Sequence, residues 1–214
     1  MNCRRLNITL FVEWRSRDDP FLVHADFGSR MFDQSSYSLD YDSFMAMVEF
    51  FNFHLDVDGF ADHWNRKCIS YYTRFPDPHC SAVNFFAQKL DQNLSYYCFP
   101  PPSMVTATIL HMHAFNAHGL LLLPVWKSAA FWSNIVPDGQ HFPPWVSRFL
   151  LFRPSSFVVD PNVLSHTFRC KPVTFDMLAL LVDFRCCNKE NMFTSLAIKE
   201  NCLDYGCYMC YLSL

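Results

Sequence analysis

Glycine is scarce in this sequence. The chain has five glycines among 214 residues, whereas an average soluble protein of this length holds about 15. Loops that wrap phosphate groups or nucleotide cofactors depend on glycine, because only glycine lets the backbone turn sharply and approach a ligand closely. The shortage therefore weakens any prediction of a glycine-rich cofactor loop.

The sequence also lacks a long apolar run. The longest one, Gly119 to Trp126, is far shorter than the about 20 residues that cross a bilayer. Behind Arg4 and Arg5 the apolar residues are few and interrupted by polar ones, so a secretory signal is not predicted. We therefore expect a protein of the cytoplasm or nucleus that is not secreted, has no membrane partner and keeps its ten cysteines reduced.

There is no surplus of basic residues. The formal net charge is -3, so the charge of the whole chain does not predict nucleic-acid binding. A local basic patch is nevertheless compatible with this charge. Hydrophobic residues make up 51% and aromatic residues 17% of the chain. This composition predicts a packed core.

Segments of strand and helix character alternate along the chain. Asp40–Phe53 and Ser103–Phe115 have the apolar spacing of helices, and Leu120–Trp126 is typical of a strand covered on both faces. This alternation predicts an α/β sandwich with a mostly parallel sheet. Phe175–Phe184 fits a helix or a strand, and the tail beyond Arg185 has no clear periodicity.

An acidic pair lies in "LDVDGF". Asp56 and Asp58 precede Gly59 at the end of a short predicted strand, where open α/β sheets bind ligands. Carboxylates at this place hold ribose hydroxyls or the amino group of a methionine-type cofactor. The alternative is a solvated turn without a ligand, and the spacing alone favours this alternative because one glycine is a weak signal.

Three consecutive prolines end another predicted strand, in "SYYCFPPPSMV". Enzymes that modify a base amino group pull the base out of the stack, bind its amino group with a polar acceptor and stack an aromatic ring on it. A diproline after a strand can shape the wall of such a site. Here Cys98 and Phe99 precede Pro100 and Pro101, and Pro102 follows. The residues themselves favour a stiff turn.

Two groups of residues invite a metal interpretation. The histidines of "HMHAFNAH" do not share one helical face and have no carboxylate at a ligand-like spacing, so satisfied or solvated histidines are favoured. The cysteine tail contains one Cys-x-x-Cys motif, but its other pair is adjacent, which supports a zinc module poorly. These residues are His111, His113, His118, Cys186, Cys187, Cys202, Cys207 and Cys210.

The order of several motifs resembles a segment in the pol polyproteins of DIRS-type, tyrosine-recombinase retroelements, downstream of their reverse transcriptase and ribonuclease H. That segment is similar to phage-type Dam DNA adenine methyltransferases. The resemblance covers about residues 40–136 and implies a Rossmann-like, methyltransferase-type sandwich with an ancestral base site at Phe99, Pro100 and Pro101. The matching residues are Asp56, Phe60, Ala61, Asn65, Phe99, Pro100, Pro101, Pro124, Trp126, Ser128 and Trp132.

Residues 12–30 resemble the end of the ribonuclease H region of these elements. Asp26 matches the last metal-binding carboxylate, but one carboxylate cannot hold two metal ions, so ribonuclease H activity is not expected. We therefore expect a ribonuclease H remnant with a linker over residues 1–38 and a methyltransferase-like domain over residues 39–154. Residues 155–214 are predicted to form a weakly structured, cysteine-rich extension.

Three functions are compatible with the resemblance. The first is a methyltransferase-like domain without catalysis or cofactor, because an active relative carries Asn or Asp before the diproline and an aromatic residue after it. Such a domain could still contact DNA or RNA beside Trp64, through the residues Arg66, Lys67, Tyr71, Tyr72 and Arg74. The second is an active DNA adenine methyltransferase that binds S-adenosylmethionine through Asp56, Asp58 and Gly59. The third is a structural spacer of a polyprotein.

Overall fold

The computed structural model describes residues 37–153, 159–161 and 175–185. By its internal contacts the chain divides into two units, residues 1–33 and 34–214, and all described residues belong to the second. The ribonuclease H candidate Asp26 and the five cysteines beyond Arg185 lie outside the described residues.

The described helices are few and short. The longest, α1, begins where the Asp40 carboxylate accepts a hydrogen bond from the backbone N–H of Ser43 and thereby caps the helix. Helix α2 confirms the helix predicted over Ser103–Phe115. None of the helices in the described ranges is long and apolar enough to span a bilayer. Their bounds are α1 Tyr41–Phe51, α2 Val105–Ala114 and α3 Trp132–Ile135, with short 3-10 helices at Phe85–Ala87 and Pro102–Met104.

The strands form a two-stranded and a seven-stranded sheet. The small sheet pairs β1 with β8 in antiparallel fashion. The large sheet has the order β4-β3-β2-β5-β6-β9-β7. The strands are β1 Tyr37–Leu39, β2 Val57–Asp58, β3 Ser70–Thr73, β4 Ala82–Val83, β5 Ser95–Cys98, β6 His118–Pro124, β7 Val146–Phe152, β8 Val159–Pro161 and β9 Met177–Asp183.

The large sheet is mixed and mostly parallel. The pairs from β4 through β6 are parallel, whereas β9 runs antiparallel to both β6 and β7. Numbered along the chain, its seven strands lie in the order 3-2-1-4-5-7-6. The first six follow the doubly wound Rossmann order, and the seventh is inserted between the fifth and the sixth. The expected α/β fold with a mostly parallel sheet is confirmed, and its strand order is compatible with a Rossmann-like sandwich.

The core has one layer on each face of this sheet. Leu121 and Leu123 of β6 belong to the cluster under α2 and α3, whereas Leu120 and Leu122 belong to the cluster under α1. Because successive strand residues point to opposite faces, an unbroken leucine run fills both layers. The run of β6 is fully buried, as the sequence predicted.

The structure decides one open assignment and changes two others. The segment Phe175–Phe184, compatible with helix or strand, contains the strand β9, which lies between β6 and β7. The sheet therefore extends beyond residue 154, where the sequence suggested a domain boundary. The strand expected around Leu55 is only two residues long, Val57–Asp58.

One glycine is required by the close approach of β5 and β6. Gly119 pairs with Tyr96 and has a φ of +154°. A Cβ atom at this position would lie 1.9 Å from the carbonyl oxygen of Tyr96. No side chain fits there without moving one of the two central strands.

Candidate functional site

The sheet changes its direction of winding between β2 and β5. These strands are parallel neighbours, with Asp58 opposite Tyr97. In open α/β sheets, ligands bind outside the carboxyl ends of the strands at such a switch point. The chain leaves these two ends through Gly59 and through Phe99–Pro101, which therefore define the candidate site.

Asp58 is a buried carboxylate at this switch point. Its side chain is 3% exposed, and burial raises its pKa from 3.8 to about 6, against the hydrogen bonds that stabilise the charge. Oδ1 accepts a hydrogen bond from the N–H of Phe60 at 3.2 Å, and Oδ2 accepts one from the N–H of Lys67 at 2.9 Å. The carboxylate thus holds the loop that follows its own strand.

Asp56 lies away from the switch point, which corrects the prediction that Asp56 and Asp58 stand together at the end of the strand. Its carboxylate accepts hydrogen bonds from the N–H and the hydroxyl of Ser95, at 2.8 and 2.7 Å. Ser95 is the first residue of β5, so Asp56 lies at the amino edge of the sheet, opposite to Pro100. The backbone hydrogen bond from Ser95 is the main reason why the pKa of Asp56 is lowered. The two-residue length of β2 separates the aspartates: one precedes the strand and one ends it.

Gly59 is packed against side chains. A Cβ atom at this position would lie 2.8 Å from the ring of Phe85 and 3.3 Å from the sulfur of Cys98. The ring of Phe60 lies 4.9 Å from that of Phe85, between centroids. The glycine therefore accommodates aromatic rings of the same chain, and the space beside its Cα is filled.

The residues around Pro100 and Pro101, here called the proline corner, are apolar as well. Cys98 and Phe99 are both buried, in the clusters on opposite faces of the sheet, and burial raises the pKa of the Cys98 thiol. Pro102 begins a short 3-10 helix that leads into α2. Neither residue before the diproline has a carboxamide or carboxylate, and the residue after it has no aromatic ring.

The candidate nucleic-acid residues are only partly brought to the surface. Arg66 and Arg74 are exposed, whereas Lys67 is half-buried and burial lowers its pKa. Tyr71 is fully buried, with its hydroxyl donating to Asp77 at 3.2 Å. Tyr72 is half-buried and packs against the main core. The prediction that Tyr71 stacks on a base is therefore wrong, because its ring is part of the core. The role predicted for Tyr72 stays a prediction.

Exposed rings do occur in this segment, at Trp64, which the sequence analysis placed beside the basic residues, and at Phe75, which it did not single out. Trp64 is 88% exposed, and Phe75 is 52% exposed. The Asp62-x-x-Asn65 pattern around Trp64 is typical of a turn that is capped by a side chain. This pattern could have indicated that Trp64 is exposed. The alternation of β3 could have placed Tyr71 inside, because Tyr71 and Thr73 face one way.

The histidines singled out by the sequence are separated. The Nε2 atom of His111 lies 3.0 Å from the carbonyl oxygen of Gln88. His113 has its ring 5.5 Å from that of Phe184, between centroids. His118 is buried at the start of β6, and burial lowers its pKa. Within 37–153 and 175–185, no group of three or more His, Cys, Asp or Glu side chains is arranged to bind a metal ion.

Comparison with models of protein families and with curated proteins returned no match for this sequence.

Proposed function

We propose that this chain is a methyltransferase-like domain of a DIRS-type retroelement polyprotein that does not transfer methyl groups and contacts nucleic acid. The observation that carries the proposal is the chemistry at the switch point of the sheet. A proline triplet and an acidic residue stand at the tips of the neighbouring strands β5 and β2, yet the polar groups needed for base methylation are replaced by Phe99 and Pro102. The inserted antiparallel strand β9 supports the methyltransferase-like part of the proposal.

The residues at this edge do not fit S-adenosylmethionine. The Asp58 carboxylate, which would meet a ribose hydroxyl or an ammonium group, is buried and already accepts two backbone hydrogen bonds. Gly59, which would let a cofactor approach the backbone, lies against Phe85 and Cys98. A cofactor would have to displace this packing and uncover the carboxylate, at a cost of several kcal/mol. No cofactor is part of the proposal.

The contact with nucleic acid rests on the segment that follows β2. Arg66 and Arg74 are exposed there, and arginine guanidinium groups bind phosphate well because they present several donors in a planar fork. Each guanidinium also lies over an aromatic ring, Arg66 over Tyr71 at 5.1 Å and Arg74 over Phe75 at 5.2 Å. These cations face solvent although the chain as a whole is slightly acidic.

An active DNA adenine methyltransferase is the second candidate, favoured by the strand order and by the position of Asp58. Thermal unfolding with and without millimolar S-adenosylmethionine separates the two, because a ligand that binds the folded state raises the melting temperature. Our proposal predicts no shift and no transfer of labelled methyl groups to duplex or single-stranded DNA. A shift accompanied by methyl transfer would replace it with the enzyme.

A third candidate, a spacer without ligands, differs from the proposal in its affinity for nucleic acid. Gel-shift assays over a series of salt concentrations should give complexes that weaken as salt increases, because phosphate contacts release counterions. The Arg66→Gln, Arg74→Gln double variant is the matched comparison, since both side chains are exposed and their loss leaves the core intact. Absence of any complex at low salt would support the spacer.

A further inference from the structure

Exposed apolar side chains concentrate in one segment of the described chain. Among six large hydrophobic residues that are exposed, three lie between positions 64 and 75: Trp64, Ile69 and Phe75. Single exposed hydrophobic residues are ordinary, but a group of them marks an interaction site. The segment forms the loop after β2, the strand β3 and the turn that follows it.

Three rings form a continuous series on this segment. The Trp64 and His63 rings are 5.0 Å apart, and the His63 and His79 rings are 5.1 Å apart, between centroids. Trp64 and His79 at the two ends are both exposed. We call Trp64, His63 and His79 the ring platform.

Two aspartates bind the backbone that carries the platform. Oδ1 of Asp62 accepts the N–H groups of Trp64 and Asn65, at 2.8 and 3.0 Å. Asp77 accepts the N–H groups of His63 and His79, at 3.0 and 2.9 Å, on its two oxygens. A backbone fixed in this way loses little conformational entropy when a ligand binds.

The charged side chains of the segment differ in their exposure. Asp62 and Asp77 are half-buried and accept hydrogen bonds from backbone N–H groups, whereas Arg66 and Arg74 are exposed. The segment therefore presents exposed guanidinium groups together with exposed aromatic rings.

We propose that the ring platform binds single-stranded nucleic acid, with bases stacked on Trp64 and His79 and phosphates bound by Arg66 and Arg74. This inference rests on the nucleic-acid contact of the proposed function and specifies its partner. Single strands offer free base faces for stacking, whereas a duplex hides these faces between neighbouring pairs and offers mainly phosphates. A surface that binds only the phosphate backbone of a duplex does not require an exposed indole ring.

Fluorescence anisotropy with a labelled oligothymidylate, and with the duplex formed by its complement, tests the inference on the full chain. We expect the single strand to bind more tightly than the duplex at equal salt. Trp64→Ala should weaken single-strand binding by about tenfold, because stacking of a base on an aromatic side chain has about that value. Trp64→Phe should restore most of the affinity. Arg66→Gln should reduce the slope of log affinity against log salt by about 0.7.

The control is Tyr41→Ala, which removes another exposed ring, 67% exposed, at the start of α1, in a different segment of the chain. It should leave the affinity unchanged, and melting curves of all variants establish that they are folded. Equal affinity for duplex and single strand, or an unchanged affinity of Trp64→Ala, would overturn the inference and leave a phosphate-only contact. Failure to bind either nucleic acid would overturn the contact in the proposed function as well.

Discussion

Replacing Asp58 with asparagine should change how the free energy of unfolding depends on pH. Burial raises the pKa of Asp58 from 3.8 to about 6 in the folded protein, so the folded state keeps a proton that the unfolded chain has already released. Stability must then fall as the pH rises from about 4 to about 6, and the loss persists at higher pH. At 1.36 kcal/mol for each pKa unit, the loss is about 3 kcal/mol.

Urea unfolding of the wild type and of Asp58→Asn between about pH 4 and pH 7 measures this loss as a difference between two curves. Asparagine does not titrate, so the variant should gain about 3 kcal/mol relative to the wild type over this range, whatever constant offset the lost hydrogen bond adds. Asp56→Asn is the matched control. The pKa of Asp56 is lowered, so the wild type should gain relative to this variant as the pH rises. Parallel curves of unfolding free energy against pH for the wild type and Asp58→Asn would refute the idea that burial disfavours the ionisation of Asp58.

Two further changes test the framework around the site. Gly119→Ala should destabilise the protein by more than about 3 kcal/mol in urea unfolding. The reason is that the new Cβ would overlap the Tyr96 carbonyl between the strands β5 and β6. A smaller loss would mean that these two strands can separate. Arg148→Met should cost about 1.5 to 3 kcal/mol in the same assay, because the guanidinium donates to the carbonyl oxygens of Phe50 and Phe51 at the end of α1. Equal stability of Arg148→Met and the wild type would show that these bonds contribute little.

The elements that the sequence predicted best are those in which one physical requirement dominates. The leucine run of β6 can only be buried on both faces, and the apolar spacing of α2 fits one helical face. Phe175–Phe184 was ambiguous because a fully apolar segment has no period, and only its pairing with β6 and β7 makes it a strand.

The candidate site was predicted in outline and not in detail. The adjacency of β2 and β5 follows from the Rossmann order, but the length of β2 does not follow from its sequence, and this length places Asp56 at the amino edge. Likewise, the count of aromatic residues could not show which rings face solvent. Tyr71 is a core residue, whereas Trp64 is exposed because Asp62 caps the turn that carries it.

Phe99 distinguishes a filled corner from an open cleft. In a base-modifying enzyme the residue before the diproline faces the substrate, so asparagine would be tolerated at this position. Here Phe99 is 4% exposed and packs in the cluster under α1. Phe99→Asn should therefore lose about 3 to 5 kcal/mol in urea unfolding, as large apolar truncations in cores do. Phe99→Leu keeps an apolar side chain there and should lose less than about 1.5 kcal/mol. If the two variants unfold at the same urea concentration, the side chain faces an open cleft, and the corner must be treated as a binding site again.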